Sequence, residues 1–267
     1  MGIKGFTLQS NLFKKIVHEI LWSAIPRSLE FEPYTSNLIA KRTGLTVLSG
    51  PFQGMKYLRE SSASVLAPKL LGIYERELHS VLEEATALPL QRVVDIGAAE
   101  GYYCIGLAMR MPHARTVAYE TNETAHPLIA KLAALNHVED RLEIHGTCTI
   151  EALNAALSPP VPTLVVCDAE GAESYLLEPL RVPSLAMAHI LVELHDVILG
   201  GISGIIRQRF EKTHRIELIQ AELRRRNELP FSTFLTRRFP GYVDFAVSDC
   251  RPPGMSWFWM RPNSAQE

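Results

Sequence analysis

The stretch that decides the fold is "RVVDIGAAEGYYCIGLAMRM", Arg92 to Met111. An apolar run ends in an acid, a lean loop with Gly97 and Gly101 follows, and apolar residues then recur at helical spacing. That is a buried strand, a tight turn and a helix. The rhythm continues down the chain. Strand "RTVAYE" leads to helix "AHPLIAKLAALN", "RLEIHG" to "TIEALNAAL", "PTLVVCDAE" to "ESYLLEPL", and "AHILVELHD" to "ISGIIRQRFEKT". Nearly continuous apolar strands alternating with helices predict a parallel sheet covered on both faces. "HRIELIQ" and "GMSWFWMRP" supply two further strands, which makes seven.

Upstream, residues 1–64 read as an extension. It holds a helix at "NLFKKIVHEILWSAI" (Asn11–Ile25) and a hairpin or two short strands in "LTVLSGPFQGMKYL". The main domain is expected over 65–267, opening on one helix across Lys69–Leu88. A lid-like insertion rich in Arg, Pro and Phe is expected near 224–251. Aromatics near Trp22 and Phe31 are expected to pack on the same chain or in a homodimer.

Composition excludes several classes. With 47% hydrophobic and 21% charged residues the chain reads as globular. Its formal net charge of -2, with no basic stripe, argues against a nucleic-acid partner. The clusters Arg224–Arg226 and Arg237–Arg238 read as solvated faces. Four cysteines without metal-ligand spacing suggest a reducing, cytoplasmic setting, and no transmembrane segment is expected.

Open α/β sheets bind ligands beyond the carboxyl ends of their strands. Here those ends are Asp95, Glu120, Gly146, Asp168 and Glu193–Asp196, and four of the five carry a carboxylate. The Asp95-x-Gly97-x-x-x-Gly101 loop is not the glycine pattern that cradles a diphosphate, and an acid before it disfavours one. Such a loop suits a ligand with an ammonium group and no phosphate, such as S-adenosylmethionine. An acid at the next strand end, Glu120, fits ribose hydroxyls.

These stretches, with "LEIHGTCT", "CDAEGAESYLL" and "ILVELHD", resemble class I S-adenosylmethionine-dependent methyltransferases, specifically the FkbM type. The resemblance runs from about Leu48 to Pro262. Its most specific part is "D-x-E-G-A-E" followed by "V-E-x-H". It implies a Rossmann-like, mostly parallel seven-stranded sheet. It also implies that Asp95, Gly97, Ala98 and Gly101 line the methionine part of the cofactor, and that Glu120 holds the ribose. Asn122, Gly146 and Thr147 would border the adenine, beside a packing Cys148, and Asp168 would stand beside the methyl group. Many members carry Asn where Glu100 stands. Glu100 is expected to face solvent or a basic residue outside the pocket.

Methyl transfer to oxygen needs a proton acceptor. His195 titrates nearest neutrality and is the candidate, with Asp168 or Glu170 as substitutes. Glu173 is expected to cap the helix it opens. Asp168, Glu193 and Asp196 form an alternative all-oxygen Mg²⁺ site, and Glu193 and Asp196 point to opposite faces of the strand, which weighs against it. The expected activity is O-methylation of a small-molecule, sugar or glycolipid hydroxyl. The alternatives are a Mg²⁺-dependent O-methyltransferase and a cofactor-binding module without turnover. A nicotinamide enzyme is disfavoured by the missing phosphate loop.

Overall fold

The computed structural model describes residues 30–61, 65–252 and 254–263. The expected helix at Asn11–Ile25, with Trp22, lies outside the described residues.

Seven strands form one sheet: β1 (Arg92–Ile96), β2 (Arg115–Tyr119), β3 (Leu142–His145), β4 (Thr163–Cys167), β5 (His189–Leu194), β6 (His214–Gln220) and β7 (Ser256–Pro262). Their spatial order is β3-β2-β1-β4-β5-β7-β6. β1 to β5 run parallel, and β7 lies antiparallel between β5 and β6. The strand order reverses between β1 and β4, so the chain leaves their carboxyl ends in opposite directions and opens a crevice there.

Alternation along the strands builds a core on each face. Val93, Leu164, Val166, Trp257 and Trp259 face one cluster, and Val94, Val165, Cys167, Phe258 and Met260 face the other. All ten are at most 1% exposed. Burying each large apolar side chain contributes roughly 1.5–3 kcal/mol before chain entropy is subtracted. The helices that follow the strands cover both faces. They are α4 (Tyr102–Arg110), α5 (His126–Leu135), α6 (Ile150–Ala156), α7 (Glu173–Leu176) and α8 (Ile202–Phe210). α7 is shorter than the sequence predicts, because Pro179 disfavours helical backbone just before it.

Ahead of the sheet lie α1 (Phe31–Thr43), α2 (Leu66–Leu71) and α3 (His79–Ala87). The expected single helix over Lys69–Leu88 is therefore two helices. The chain turns at Gly72 (φ 74), where an added Cβ would lie 2.0 Å from Ser49 O, and again at Glu75 (φ 46). This break aims Tyr74 and Glu75 inward: both are buried, and Tyr74 lines the crevice described below. The predicted hairpin is a tight antiparallel turn with one bridge, Thr46 to Lys56.

Between β6 and β7 stand two short helices, α9 (Phe234–Arg238) and α10 (Gly241–Val247). They join the upstream extension: Tyr242 of α10 meets Phe31 and Tyr34 of α1 edge-on, with ring centroids 4.8 and 5.0 Å apart. Phe31 thus packs within its own chain. Arg224 departs from the solvated-face reading. Its side chain is 2% exposed and bridges Glu77 and Asp249, which ties this segment to the turn before α3. No helix among the described residues is long and apolar enough to cross a membrane.

Candidate active site

A cavity of about 670 Å³ opens at the carboxyl ends of β1, β2, β4 and β5. One wall is the loop after β1. Gly97 and Ala98 donate to Tyr119 O at 2.9 and 3.0 Å, which stitches the loop across to β2. Gly97 has φ 89, and a Cβ there would fall 1.7 Å from Asp168 O. Only glycine lets the two strand ends approach this closely.

At the end of β2, the Glu120 carboxylate accepts from the Ala99 and Asn122 N–H groups, each at 2.7 Å. That fixes it at the cavity edge, beside Thr147 and Cys148. Burial pushes the Cys148 thiol up to about 12, which suits packing rather than nucleophilic chemistry.

The other wall carries the charge. His195 follows β5 and is 2% exposed. Its Nε2 lies 3.5 Å from Asp168 Oδ1, 3.5 Å from Glu170 Oε2 and 3.8 Å from Glu193 Oε2. Its Nδ1 lies 2.8 Å from Glu173 Oε1. Burial pulls the imidazole pKa down, and the surrounding carboxylates, Glu173 foremost, outweigh it and hold the pKa above its ordinary value. Glu173 does not cap its helix in the expected way. It reaches back to accept from Ala169 N at 2.8 Å and Gly171 N at 3.2 Å. Glu170 faces the mouth as the sequence suggests, for a different reason: the strand has ended, and a left-handed turn (φ 50) aims the side chain.

Arg251, from the segment before β7, pairs with Glu75 and Glu193 and donates to Tyr74 Oη at 3.0 Å. Burial and Asp168 push Glu193 well above the usual carboxylate range, against the pull of Arg251. Burial likewise pushes Asp249, which also lines the cavity, up to about 6.

Of the sequence-predicted residues, Gly97, Ala98, Glu120, Thr147, Asp168, Glu170 and His195 line this one cavity. Four others lie off the lining. Asp95 is 2% exposed beneath the loop, where burial and then Asp168 push it up to about 7. Gly101 starts α4, Gly146 sits on an open turn, and Asn122 accepts from Thr124 N and Oγ1. Asp196 is turned away as well, accepting from Ser203 N at 3.1 Å at the start of α8. The group that converges is Asp168, Glu193 and His195. It contains a nitrogen donor and already carries a guanidinium, unlike the all-oxygen cage that suits Mg²⁺.

Glu100 overturns one expectation. It is fully buried and paired with Lys69, a residue of the cavity wall, and it accepts from Tyr57 Oη at 2.7 Å and Ser61 Oγ at 2.8 Å. Burial acts to raise its pKa, and Lys69, with the Tyr57 and Ser61 hydroxyls, more than offsets that. Neither Lys69, Glu75 nor Arg251 was foreseen as part of a site. Sequence spacing carries no signal for them, because Lys69 acts from the short helix α2 and Glu75 and Arg251 from irregular segments, all remote from the strand ends.

No protein-family model matches the chain, and no curated protein does. Among solved structures, the chain is similar to the O-methyltransferase TomG from Streptomyces achromogenes in complex with SAM. The identity is 16%, over 92% of this chain and 96% of that one, with a TM-score of 0.47. It is also similar to cofactor-bound Rv0187 from MTB (15%, 92% and 97%, TM-score 0.46) and to an rRNA methylase from Streptococcus thermophilus (11%, 71% and 98%, TM-score 0.45). At such identities a likeness bears on fold alone. The strand order itself is a Rossmann-like arrangement: a mostly parallel seven-stranded sheet, with one antiparallel strand, flanked by helices.

Proposed function

We propose that this chain is an S-adenosylmethionine-dependent methyltransferase of the FkbM type, acting on a hydroxyl of a small molecule, sugar or glycolipid in the cytoplasm. The observation that carries the reading is Asp168 Oδ1. It is buried without a hydrogen-bond partner at the crevice, between the Gly97 loop and His195. His195 Nε2, at 3.5 Å, makes no hydrogen bond to it, so the oxygen is open to a cationic ligand. The acidic rim, the lean β1 loop and the ribose-height carboxylate of Glu120 fit S-adenosylmethionine, and 670 Å³ is ample for a ligand of that size.

When bound, the cofactor supplies a methyl group made electrophilic by its sulfonium. The residues of the chain do the rest. Glu120 would hold the ribose hydroxyls, Thr147 and Cys148 would flank the base, and Asp168 would face the cationic methionine end. Lys69 and Arg251, each already paired with a buried glutamate, keep the wall from being uniformly acidic. His195 accepts the proton of the acceptor hydroxyl through Nε2, the nitrogen that faces Asp168 and Glu170. Glu170, exposed at the mouth, orients the acceptor. Asp249–Pro252 form part of the cavity rim beside it.

The test is calorimetry with S-adenosylmethionine and its demethylated product, followed by transfer of labelled methyl to a panel of hydroxylated acceptors. Tight binding, weakened at least tenfold by Glu120→Ala, is the expected outcome. Absence of heat with both ligands refutes the reading. Full affinity with no labelled acceptor from any source favours a binding module instead.

A further inference from the structure

We infer that Glu173 is the positioning residue for His195, holding its neutral ring with the proton on Nδ1 so that Nε2 faces the cavity as a free base. The role in turnover rests on the methyltransferase reading above. The orientation rests on geometry alone.

Glu173 is fully buried. Its Oε1 is fixed by the N–H groups of Ala169 and Gly171, so the carboxylate cannot swing away without leaving two donors unpaired. That oxygen lies 2.8 Å from Nδ1. A neutral imidazole with its lone pair on Nδ1 would set two lone pairs against each other at this distance, so the ring must carry its hydrogen there. The contact is short of in-line, and catalytic hydrogen bonds commonly tighten only when ligand binds.

The opposite nitrogen, Nε2, then points at Asp168 Oδ1, Glu170 Oε2 and Glu193 Oε2. A proton arriving on Nε2 meets carboxylates on three sides, and the resulting imidazolium is stabilised by Glu173 behind it. Arg251 offsets part of this field through Glu193 and, at 3.9 Å, through Asp168. The arrangement follows the general logic of a buried carboxylate that sets a histidine tautomer. It also gives a physical reason for the paired motif: the last Glu of Asp168–Glu173, after β4, grips the His of Glu193–His195, at the end of the neighbouring β5.

The experiment uses the full chain with ¹⁵N-labelled histidine rings. His195→Gln identifies the His195 signals among the nine histidines. Ring nitrogen shifts are followed through a pH titration of the wild type and of Glu173→Gln. That variant keeps an oxygen for the Ala169 and Gly171 N–H groups but removes the charge. In the wild type the neutral ring is expected to carry its proton on Nδ1. In Glu173→Gln the His195 pKa should fall by about 1–3 units, the size of an opposite charge lost at this range. The acidic limb of the methyl-transfer rate should move down with it, with S-adenosylmethionine affinity unchanged. Glu173→Asp should restore part of the shift. A wild-type ring protonated on Nε2 overturns the inference, even if the variant does not fold, and so does an unmoved pKa. If the ring behaves as expected but no cofactor binds, the methyltransferase reading fails and the orientation stands.

Discussion

Replacing Gly97 by alanine tests the close approach on which the crevice depends. The added Cβ would lie 1.7 Å from Asp168 O and 2.8 Å from Asp168 C. Both are backbone atoms at the end of a buried strand, so no side chain can rotate aside. The residue also sits at φ 89, where an L side chain costs about 1–2 kcal/mol. Forcing the loop off the β4 end adds about 1–3 kcal/mol of overpacking. The expected loss is therefore roughly 2–5 kcal/mol in urea unfolding, as a lower midpoint with the slope unchanged. Because Asp168 must move with its carbonyl, S-adenosylmethionine affinity should fall at least tenfold. Gly146→Ala is the control. It has ordinary backbone and nothing within 4 Å of its Cβ position, so its stability should stay within about 0.5 kcal/mol of wild type. A Gly97→Ala protein as stable as Gly146→Ala would refute the reasoning.

Two further outcomes follow from buried charge. Lys69→Met and Glu100→Gln each break a pair whose partners are 2% and 0% exposed, and each should cost about 3–5 kcal/mol. The double variant should cost clearly less than their sum, and strict additivity in a denaturation cycle would contradict the pairing. Asp95 is raised by burial to about 7 from an ordinary 3.8, so the folded state holds its proton over a range where the unfolded chain has lost it. The sign is therefore a loss of stability as pH rises from about 4 to about 7, roughly 4 kcal/mol at most, at 1.36 kcal/mol per unit. Asp95→Asn should remove that slope. If the stability difference between wild type and Asp95→Asn stays flat from pH 4 to pH 8, the carboxyl titrates normally.

Strand ends were legible because period and burial fix them together. A run such as "RVVDI" can only be buried on both faces, and its last residue must then stand at the sheet's edge. Asp168, Glu120 and His195 were found in this way. Their partners were hidden for a physical reason. Glu170 reaches the cavity, and Glu75 reaches Arg251 behind its wall, through left-handed backbone at non-glycine residues, which no propensity favours. Gly72 splits a stretch whose helical periodicity continues across it. Glu173 sits where a helix-capping acid belongs, and nothing in its local sequence shows that it turns back toward His195. Arg224 lies in a basic triplet that reads as solvated, although only its neighbours Arg225 and Arg226 are exposed.

The density of buried acid at and beneath the crevice is costly to folding. Asp95, Glu75 and Glu193 all sit above the ordinary carboxylate range because burial outweighs their partners. An arrangement chosen for stability alone would place apolar side chains there, since buried ion pairs rarely outdo them. Two features fit the proposed ligand site. Arg251 engages Glu75 and Glu193 but lies 3.9 Å from Asp168, whose Oδ1 stays unsatisfied. The unsatisfied atom also lies where the strand order reverses, between the Gly97 turn and His195, at the crevice the topology opens. On the function proposed above, perturbed carboxyls collected at such a point trade stability for a ligand's positive charge.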